Sequence, residues 1–233
     1  MYLSWKTKNI TDFSSENINS LYNEGFLFTR TGKGDMYQTR SLRINLNKFK
    51  LNSENRRILK HTESITLSVH NIPYPDYDWT IHKLGKDFYA TKFGEKTFSA
   101  QKIKELITNP TKSNFNRVLA YSGLPTAMKH MALKDVDDKR STSYPLGYCI
   151  ALETDTLLHY CYPFYSLKSK INNLGLGMML KAIVVAKEND KKYVYLGSAS
   201  RPTDTYKLQF EGIEWFDGEK WQTDLATLKQ ELK

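Results

Sequence analysis

Two glycines one residue apart give this chain its clearest opportunity for chemistry. Gly175 and Gly177 belong to the run Asn-Asn-Leu-Gly-Leu-Gly at residues 172–177, which leads directly into an apolar segment with helical periodicity. The first amides of a helix have no partner within the helix, so they can hold a phosphate or an oxyanion. Glycine has no Cβ, and a ligand can therefore approach its backbone closely. The run predicts an anion site that includes Asn173, Leu174, Gly175 and Gly177.

The glycine turn has more than one interpretation. A dinucleotide-binding loop needs three glycines, and Leu180 occupies the third position, which excludes that loop. A nucleotide phosphate loop needs a longer run ending in Gly-Lys-Ser or Gly-Lys-Thr, and the chain contains none. Two interpretations remain: the acyl-group turn of GNAT-type acyltransferases, with Asn172 at its polar position, and a tight turn without a ligand.

Tyrosines lie at the ends of the strands predicted around this turn. The elements expected here follow one another as strands over 146–152 and 156–162, a helix over 175–188 and a strand over 193–196. Ligands of such sheets bind where strands end and helices begin. The order therefore predicts one crevice that gathers Tyr160, Tyr162 and Tyr195 beside the two glycines.

Periodicity elsewhere predicts an α/β protein of the α+β type. Helices are expected over 12–24, 53–60, 98–108, 115–119 and 223–232, strands over 26–30, 41–46 and 64–69, a hairpin over 211–221, and loops over 71–79 and 133–143. Strands mixed with helices in this order favour a mixed sheet flanked by helices. With 233 residues, the chain suits one large domain or a domain with a smaller lobe.

The composition favours a polyanionic partner. The net charge is +9 and the isoelectric point about 9.3, a balance typical of proteins that bind nucleic acid. No apolar run is long enough to span a membrane and the start of the chain lacks a signal-peptide pattern, so we expect a cytoplasmic protein with no membrane partner. Cys149 and Cys161 are expected to be reduced core residues, and no spacing predicts a metal site.

Four segments, in order along the chain, resemble the aminoacyl-tRNA–protein transferases. The family patterns are L-x-x-x-G-F, a basic helix F-x-x-[SN]-[SRK]-x-x-R-R-x-x-[KR], a turn and helix S-L-G-x-x-x-[IML]-L-x-x-I, and a Y-L-G…Y-K-x-x-F…E…W ending. The similar residues here are Leu21–Phe26, Phe49–Lys60, Asn173–Ile183, and then Tyr195–Gly197, Tyr206–Phe210, Glu214 and Trp221. The resemblance implies a GNAT-like, mixed and mainly antiparallel sheet flanked by helices. It also implies a small basic N-terminal lobe, which we assign to residues 1–63, and a transferase domain over 64–233.

The resemblance further implies a reaction and its partners. An amino acid, arginine or leucine, would pass from aminoacyl-tRNA to the N-terminal α-amine of an acceptor protein or peptide, as in N-degron tagging. The ester is already activated, so no cofactor beyond the aminoacyl-tRNA co-substrate is expected. Tyr195 and Tyr206 would hydrogen-bond the terminal ribose or the attacking amine as catalytic residues. Tyr162 and Lys207 would join the glycine turn in binding the donor.

Five basic residues are the candidates for contact with the tRNA. They are Arg40, Arg43, Arg56, Arg57 and Lys60. Contacts of this kind to phosphates give salt-dependent affinity and little sequence discrimination. For Arg56 and Arg57, the alternative interpretation is an ordinary solvated helix face.

The chain departs from the family in ways that keep rival functions open. It lacks the cysteine cluster that many members carry after the G-F stretch, and Asn173 replaces the usual serine. The alternatives are a GNAT-type N-acyltransferase that uses acyl-CoA and a non-catalytic tRNA-binding protein on the same fold. His159, in an apolar strand, is expected to be a core residue, with a role as proton acceptor as the alternative.

Overall fold

Two sheets form the framework of the computed structural model, which describes residues 3–123 and 144–233. A three-stranded antiparallel sheet has the order β1-β3-β2, and an eight-stranded sheet has the order β11-β10-β4-β9-β8-β7-β6-β5. The strands are β1 Lys6–Asn9, β2 Phe26–Phe28, β3 Asp35–Gln38, β4 Ser41–Asn45, β5 Ile65–Asn71, β6 Arg117–Gly123, β7 Tyr144–Glu153, β8 Leu157–Tyr165, β9 Tyr193–Ser198, β10 Ile213–Phe216 and β11 Trp221–Gln222.

Six α-helices and a 3₁₀ helix pack around these sheets within the described residues. They are α1 Ser15–Asn23, α2 Ser53–His61, α3 Trp79–Phe93, α4 Ala100–Thr108, α5 Leu174–Glu188, the 3₁₀ helix Pro202–Gln209, and α6 Leu225–Glu231. Most begin at a residue whose side chain accepts a hydrogen bond from the first turn, as Ser14 does for α1 and Asn52 for α2. The start of α5 is different, because Asn173 makes no such bond.

The large sheet separates two apolar cores. One core packs α2, α5 and α6 on the first face of the sheet, with Met178 and Ile183 of α5 fully buried there. The other packs α1, α3, α4 and the small sheet on the opposite face, around residues such as Ile103 and Phe164. Side chains alternate between the two faces along each strand, so neighbouring residues of β8 point into different cores.

The predicted fold class is confirmed. The large sheet is mixed and mainly antiparallel, since β8 and β9 are its one parallel pair among the described strands. Helix α5 is the crossover that joins these two strands. The division into domains at residue 63 stays a prediction. The sheet topology does not separate the chain there, because β4 lies inside the large sheet between β9 and β10.

Several local predictions were wrong. The segment predicted as a helix at residues 115–119 mostly forms β6, and this strand is buried on both faces, which removes the polar alternation that identifies a strand. Helix α3, the strands β1 and β3, and the 3₁₀ helix were not predicted. The loop predicted over 133–143 lies outside the described residues.

Candidate active site

The strands β8 and β9 part after a short parallel contact. Their ladder contains the pairs Leu157–Tyr193, Leu158–Val194 and His159–Tyr195, and then ends. Beyond this point β8 stays paired with β7 as far as Tyr165, and β9 follows β4. The gap between the two strands, past His159 on one side and Tyr195 on the other, is called the fork below.

The first turn of α5 presents free amides on one side of the fork. Gly177 N–H bonds to Asn173 O at 2.8 Å, whereas the amides of Leu174, Gly175 and Leu176 have no partner among the described residues. Asn173 has φ 59° and ψ 27°, a left-handed conformation that asparagine adopts more readily than most residues. Three N–H groups at the positive end of the helix dipole form the anion-binding geometry that the glycine turn predicted.

The glycines themselves are needed for packing against protein atoms. A Cβ on Gly175 would lie 2.7 Å from Cε1 of Tyr165, and a Cβ on Gly177 would lie 2.4 Å from Cγ2 of Thr62. Thr62 is the fully buried residue that ends α2. The sequence interpretation of the glycines as room for a ligand therefore needs correction, because the side chains of Tyr165 and Thr62 occupy that space.

Substitution of Gly177 by alanine is expected to lower the free energy of unfolding by about 1–3 kcal/mol, as overpacking of a filled core does. The matched control is Gly85→Ala in α3, where the new Cβ would meet the tip of Ile103 at 2.8 Å and the ring of Phe164 at 3.3 Å. That control is expected to cost less than Gly177→Ala, because the end of the Ile103 side chain can shift and alanine has the higher helix propensity. Denaturant unfolding of both variants measures the difference, and equal stability would contradict the packing argument.

Tyrosines surround the mouth of the fork on the α5 face. Tyr160 is buried, and its hydroxyl makes no regular hydrogen bond within the described chain although it lies near Tyr121. Tyr206, on the 3₁₀ helix, is 49% exposed. Desolvation, with Asp204 and Tyr165 nearby, raises the pKa of Tyr206 to about 12, so its phenol keeps its proton at neutral pH.

Lys207 lies at the fork itself. Its Nζ donates to the carbonyl of Ser198, the last residue of β9, at 2.9 Å and pairs with Asp204 Oδ1 at 2.9 Å. Its side chain is only 12% exposed. Burial lowers the pKa of His159 and raises that of the Cys161 thiol on β8, and the nearby Lys207 ammonium acts to lower both pKa values. Two of its three N–H groups are engaged within the described chain, so one remains for another acceptor.

A second cation approaches the fork from the opposite face of the sheet. The guanidinium of Arg30 lies over the rings of Phe98 at 4.5 Å and Tyr162 at 5.7 Å, and it donates to Thr97 O at 2.6 Å. The positive charge of Arg30 acts to lower the pKa of the Cys161 thiol, as the charge of Lys207 does. Sequence reasoning did not select Arg30, which stands in an unremarkable basic stretch.

The predicted crevice is divided by the sheet. Tyr160 and the glycines lie on the α5 face, whereas Tyr162 and Tyr195 pack into the other core. Tyr195 is 1% exposed, packs edge-on against Tyr22 with ring centroids 5.0 Å apart, and accepts a hydrogen bond from Arg43 at 3.4 Å. These contacts assign Tyr195 to the core instead of the catalytic role that was predicted.

His159 is buried, and only one of its two ring nitrogens has a hydrogen-bond partner among the described residues. Its Nδ1 lies 2.9 Å from the Tyr22 hydroxyl, and its Nε2 has no hydrogen-bond partner among the described residues. Burial, with a contribution from the charge of Lys207, lowers the pKa of His159 to about 3. The imidazole is therefore neutral across the physiological range, and its expected role as a core residue accounts for only one of its two nitrogens.

This pKa predicts that acid destabilises the protein through His159. The unfolded chain takes up a proton near pH 6.5, and the folded chain does so only near pH 3, so stability is lost as the pH falls between these values. From pH 7 to pH 5, unfolding free energy should fall by about 2 kcal/mol more in the wild type than in His159→Gln. Urea unfolding at both pH values tests this, and equal losses in the two proteins would refute it.

The predicted tRNA-binding residues divide into buried and exposed groups. Arg43 is 6% exposed and bonds to Glu214 at 2.8 Å, so its charge is not available to a nucleic acid, contrary to prediction. Arg40 is largely buried and paired with Glu231. The exposed residues are Arg56, Arg57 and Lys60 on α2, although Arg57 also pairs with Glu54 at 2.6 Å.

The C-terminal end of α2 lies beside the start of α5, because Thr62 packs on Gly177. Exposed Lys168 and Lys170 stand in the loop that leads into α5. No group of three or more potential metal ligands occurs within residues 3–123 and 144–233. In the same part of the chain, no helix is long and apolar enough to cross a membrane.

The sheet, its crossover helix and the turn at the start of α5 together form the mixed, mainly antiparallel sheet flanked by helices that the resemblance implied. Comparison with known sequences supports the narrower resemblance. An 85-residue region is 34% identical to the aspartate/glutamate leucyltransferase of Ruegeria pomeroyi, covering 36% of this chain and 31% of that protein. An 86-residue region is 33% identical to the protein of the same name from Dinoroseobacter shibae, covering 36% and 30%.

The resemblance to aminoacyl-tRNA–protein transferases, a class of aminoacyltransferases, is thereby confirmed. The match spans about a third of the length of these curated relatives. No protein-family model matches the chain.

Solved structures with related backbones share little sequence with this chain. L-PGS from Bacillus licheniformis aligns with 78% of this chain and 49% of its own, with a TM-score of 0.45 and 11% identity. FemX aligns with 78% of this chain and 60% of its own, with a TM-score of 0.46 and 10% identity. Both scores lie below 0.5, so these structures carry no conclusion about function.

Proposed function

We propose that this protein transfers an amino acid from aminoacyl-tRNA to the N-terminal α-amine of acceptor proteins, as in N-degron tagging. Leucine is the proposed amino acid, and an acidic residue the proposed acceptor terminus, because the matched relatives are named aspartate/glutamate leucyltransferases. Arginine is the other donor that the sequence motifs imply. The proposal requires no cofactor beyond the aminoacyl-tRNA itself.

Positive charge on the α5 face supports the proposed binding of the tRNA donor. The free amides of Leu174, Gly175 and Leu176 suit a phosphate at the 3′ end of the tRNA. Exposed cations on α2, such as Arg56 and Lys60, suit further phosphates along the acceptor stem. We therefore propose that the donor approaches on the α5 face of the sheet.

The acceptor is proposed to bind on the opposite face. Burial raises the pKa of the Cys161 thiol, and the positive charges of Arg30 and Lys207 both act to lower it. Both cations therefore lie near this point of β8. The Arg30 guanidinium suits the carboxylate of an N-terminal aspartate or glutamate, which leaves the remaining N–H of Lys207 for the developing oxyanion. The fork would then allow the acceptor amine on one face to meet the ester on the other.

The reaction itself needs alignment and charge stabilisation. The acceptor α-amine attacks the ester carbonyl, a C–N bond forms, the ester C–O bond breaks, and the amine proton passes to the 3′-oxygen of the tRNA. An α-amine has a pKa near 7.7–8.0, so a sizeable fraction is already neutral at pH 7 without a strong base. Lys207 is proposed to stabilise the oxyanion through its remaining N–H, and Tyr206 to hydrogen-bond the terminal ribose.

The observation that supports this proposal most directly is the position of Lys207. A largely buried ammonium at the point where two parallel strands part is suited to a developing negative charge. A solvated lysine on an RNA-binding face would be exposed. The position of Lys207 beside the fork, together with its burial, therefore favours an enzyme over a tRNA-binding protein without activity.

A transfer assay tests the proposal. The purified protein is incubated with radiolabelled leucyl-tRNA or arginyl-tRNA and peptides that begin with Asp, Glu, Cys or Ala, with ribonuclease-treated tRNA as the control. Label in the Asp and Glu peptides from leucyl-tRNA, lost on ribonuclease treatment, is expected. Binding of tRNA without transfer to any peptide would refute the proposed activity, and labelling from acetyl-CoA instead would identify the protein as an N-acyltransferase.

A further inference from the structure

An exposed phenylalanine lies at the mouth of the fork, on the face of the sheet opposite α5. Phe93 is the last residue of α3 and is 51% exposed. On one side its ring lies 6.4 Å from that of Phe88, which packs on Tyr165 at the end of β8 with ring centroids 4.7 Å apart. On the other side the guanidinium of Arg201, past the end of β9, lies 5.8 Å from the Phe93 ring. Phe93 therefore adjoins both sides of the fork.

A row of aromatic rings joins Phe93 to Arg30. The ring of Tyr89 lies 5.6 Å from that of Phe93 and 5.0 Å from that of Phe98. Arg30, which is partly exposed, places its guanidinium 4.5 Å from the Phe98 ring. Single exposed apolar residues are ordinary on protein surfaces. This one ends a packed row that begins at the cation proposed to bind the carboxylate of the acceptor.

A groove follows this row between the end of α3 and the start of α4. Its volume is about 390 Å³, and its charged lining residues are Lys86, Lys96 and Glu95. The guanidiniums of Arg30 and Arg201 lie against rings of the same row. Positive charge therefore exceeds negative charge around the groove, which suits a neutral or acidic chain and disfavours a basic one.

The dimensions of the row suit a short extended peptide. Side chains of an extended chain alternate in direction, so the first and third residues lie on the same side, about 7 Å apart. With the first side chain at Arg30, the third would lie over the rings that lead to Phe93. The second would point away from the protein.

We propose that the acceptor polypeptide docks along this groove, with an apolar side chain at its third position against Phe93. This assignment rests on the proposed function, and it adds the acceptor class: an extended N-terminal segment that is apolar at position 3 and free of basic residues. Phe93 then determines specificity without touching the reacting atoms. The donor tRNA is the less favoured occupant, because it is proposed to approach on the α5 face.

Acceptor peptides that differ only at position 3 test the assignment. Peptides that begin Asp-Ala-Leu, Asp-Ala-Ser or Asp-Ala-Lys, with one common neutral tail, are compared in transfer from leucyl-tRNA. Partial burial of a leucine side chain should raise kcat/KM about tenfold over serine, and the lysine peptide should be the poorest acceptor. In Phe93→Ala the preference for leucine over serine should fall to about twofold or less, because the apolar contact is lost.

Trp79 gives a matched control on the same helix. It is 59% exposed at the start of α3, about 20 Å along the helix from Phe93. Trp79→Ala should keep the wild-type preference for leucine at position 3. Equal loss of the preference in both variants would indicate a general disturbance of α3 and overturn the role of Phe93.

A binding measurement that needs no transfer separates this assignment from the proposed function. In ¹⁵N–¹H NMR spectra, the amide resonances of residues 93–98 should shift further with the leucine peptide than with the serine peptide. Without transfer from any aminoacyl-tRNA, the proposed function is refuted, but such selective shifts would still support the peptide site. Transfer with no preference at position 3, or with a preference that Phe93→Ala retains, would overturn the site and leave the activity established. Weaker tRNA binding in Phe93→Ala, with the leucine preference intact, would assign the ring to the donor and overturn the peptide site.

Discussion

Replacement of Glu214 by alanine is expected to lower the free energy of unfolding by about 3–5 kcal/mol, the cost of leaving a buried charge without its partner. Glu214 and Arg43 are joined at 2.8 Å, with side chains 8% and 7% exposed. Burial acts to raise the pKa of Glu214, but hydrogen bonds and charge from Arg43 hold it below its ordinary value. The carboxylate is therefore ionised in the folded protein.

The surroundings of Arg43 explain why the loss should be large. Its guanidinium lies between the rings of Tyr193 at 4.0 Å and Trp221 at 3.8 Å, and Nη1 donates to Asn23 Oδ1 at 2.9 Å. None of these groups neutralises its charge. Without Glu214, the arginine must remain buried and uncompensated or leave its aromatic sandwich.

An exposed pair of the same chemistry provides the control. Glu54 and Arg57 are joined at 2.6 Å on α2, with side chains about half exposed. Glu54→Ala should therefore leave the stability nearly unchanged, because solvent screens an exposed pair. The double variant Arg43→Met, Glu214→Leu should recover much of the stability lost in Glu214→Ala, because it leaves no charge buried. Guanidinium unfolding measures all three, and a loss below 1 kcal/mol in Glu214→Ala would refute the argument.

Replacement of Lys207 by methionine is expected to reduce kcat for transfer by about 10²–10³, the usual cost of removing a group that stabilises an oxyanion. Methionine keeps the length of the apolar stem and removes only the ammonium. Binding of tRNA should change little, because the exposed cations on α2 remain. The measurement is single-turnover transfer from leucyl-tRNA, with tRNA affinity determined in parallel.

Lys191 gives a matched control at the other end of β9. Its side chain is also 12% exposed, and its Nζ contacts a carbonyl, Thr154 O at 2.5 Å, and a carboxylate, Glu153 at 3.1 Å. It differs from Lys207 chiefly in its distance from the fork. Lys191→Met should therefore retain kcat within about twofold. Equal losses in both variants would indicate a structural effect and contradict the role of Lys207.

Local signals in the sequence were sufficient for much of the fold. The apolar spacing of Ile103, Leu106 and Ile107 predicted α4, and the glycine turn predicted the start of α5 within a residue. Helix α3 is hard to predict because Gly85 interrupts its buried face, and the apolar residues Trp79 and Phe93 lie exposed at its two ends. The sequence of strand β6 also fits a helix, because a short apolar run that is buried on both faces has no periodicity that distinguishes a strand from a helix.

The candidate site was less predictable than the fold because it depends on which face of a strand each residue occupies. A one-residue shift moves a side chain to the other face of the sheet. Register shifts in the strands next to the fork made that assignment impossible from local sequence. Tyr195 and Arg43 thus proved to be buried, whereas Lys207 was selected only through a family motif. The unpartnered nitrogen of His159 depends on Tyr22, a contact across 137 positions of the chain.

The contact between Thr62 and Gly177 constrains how the protein can evolve. The side chain of Thr62 fills the space that a Cβ at position 177 would need, with Cγ2 only 2.4 Å away. The two positions must therefore vary together: a homologue with alanine at the position of Gly177 should carry a residue smaller than threonine at the position of Thr62. An alignment of homologues in which the two sites vary independently would contradict this coupling.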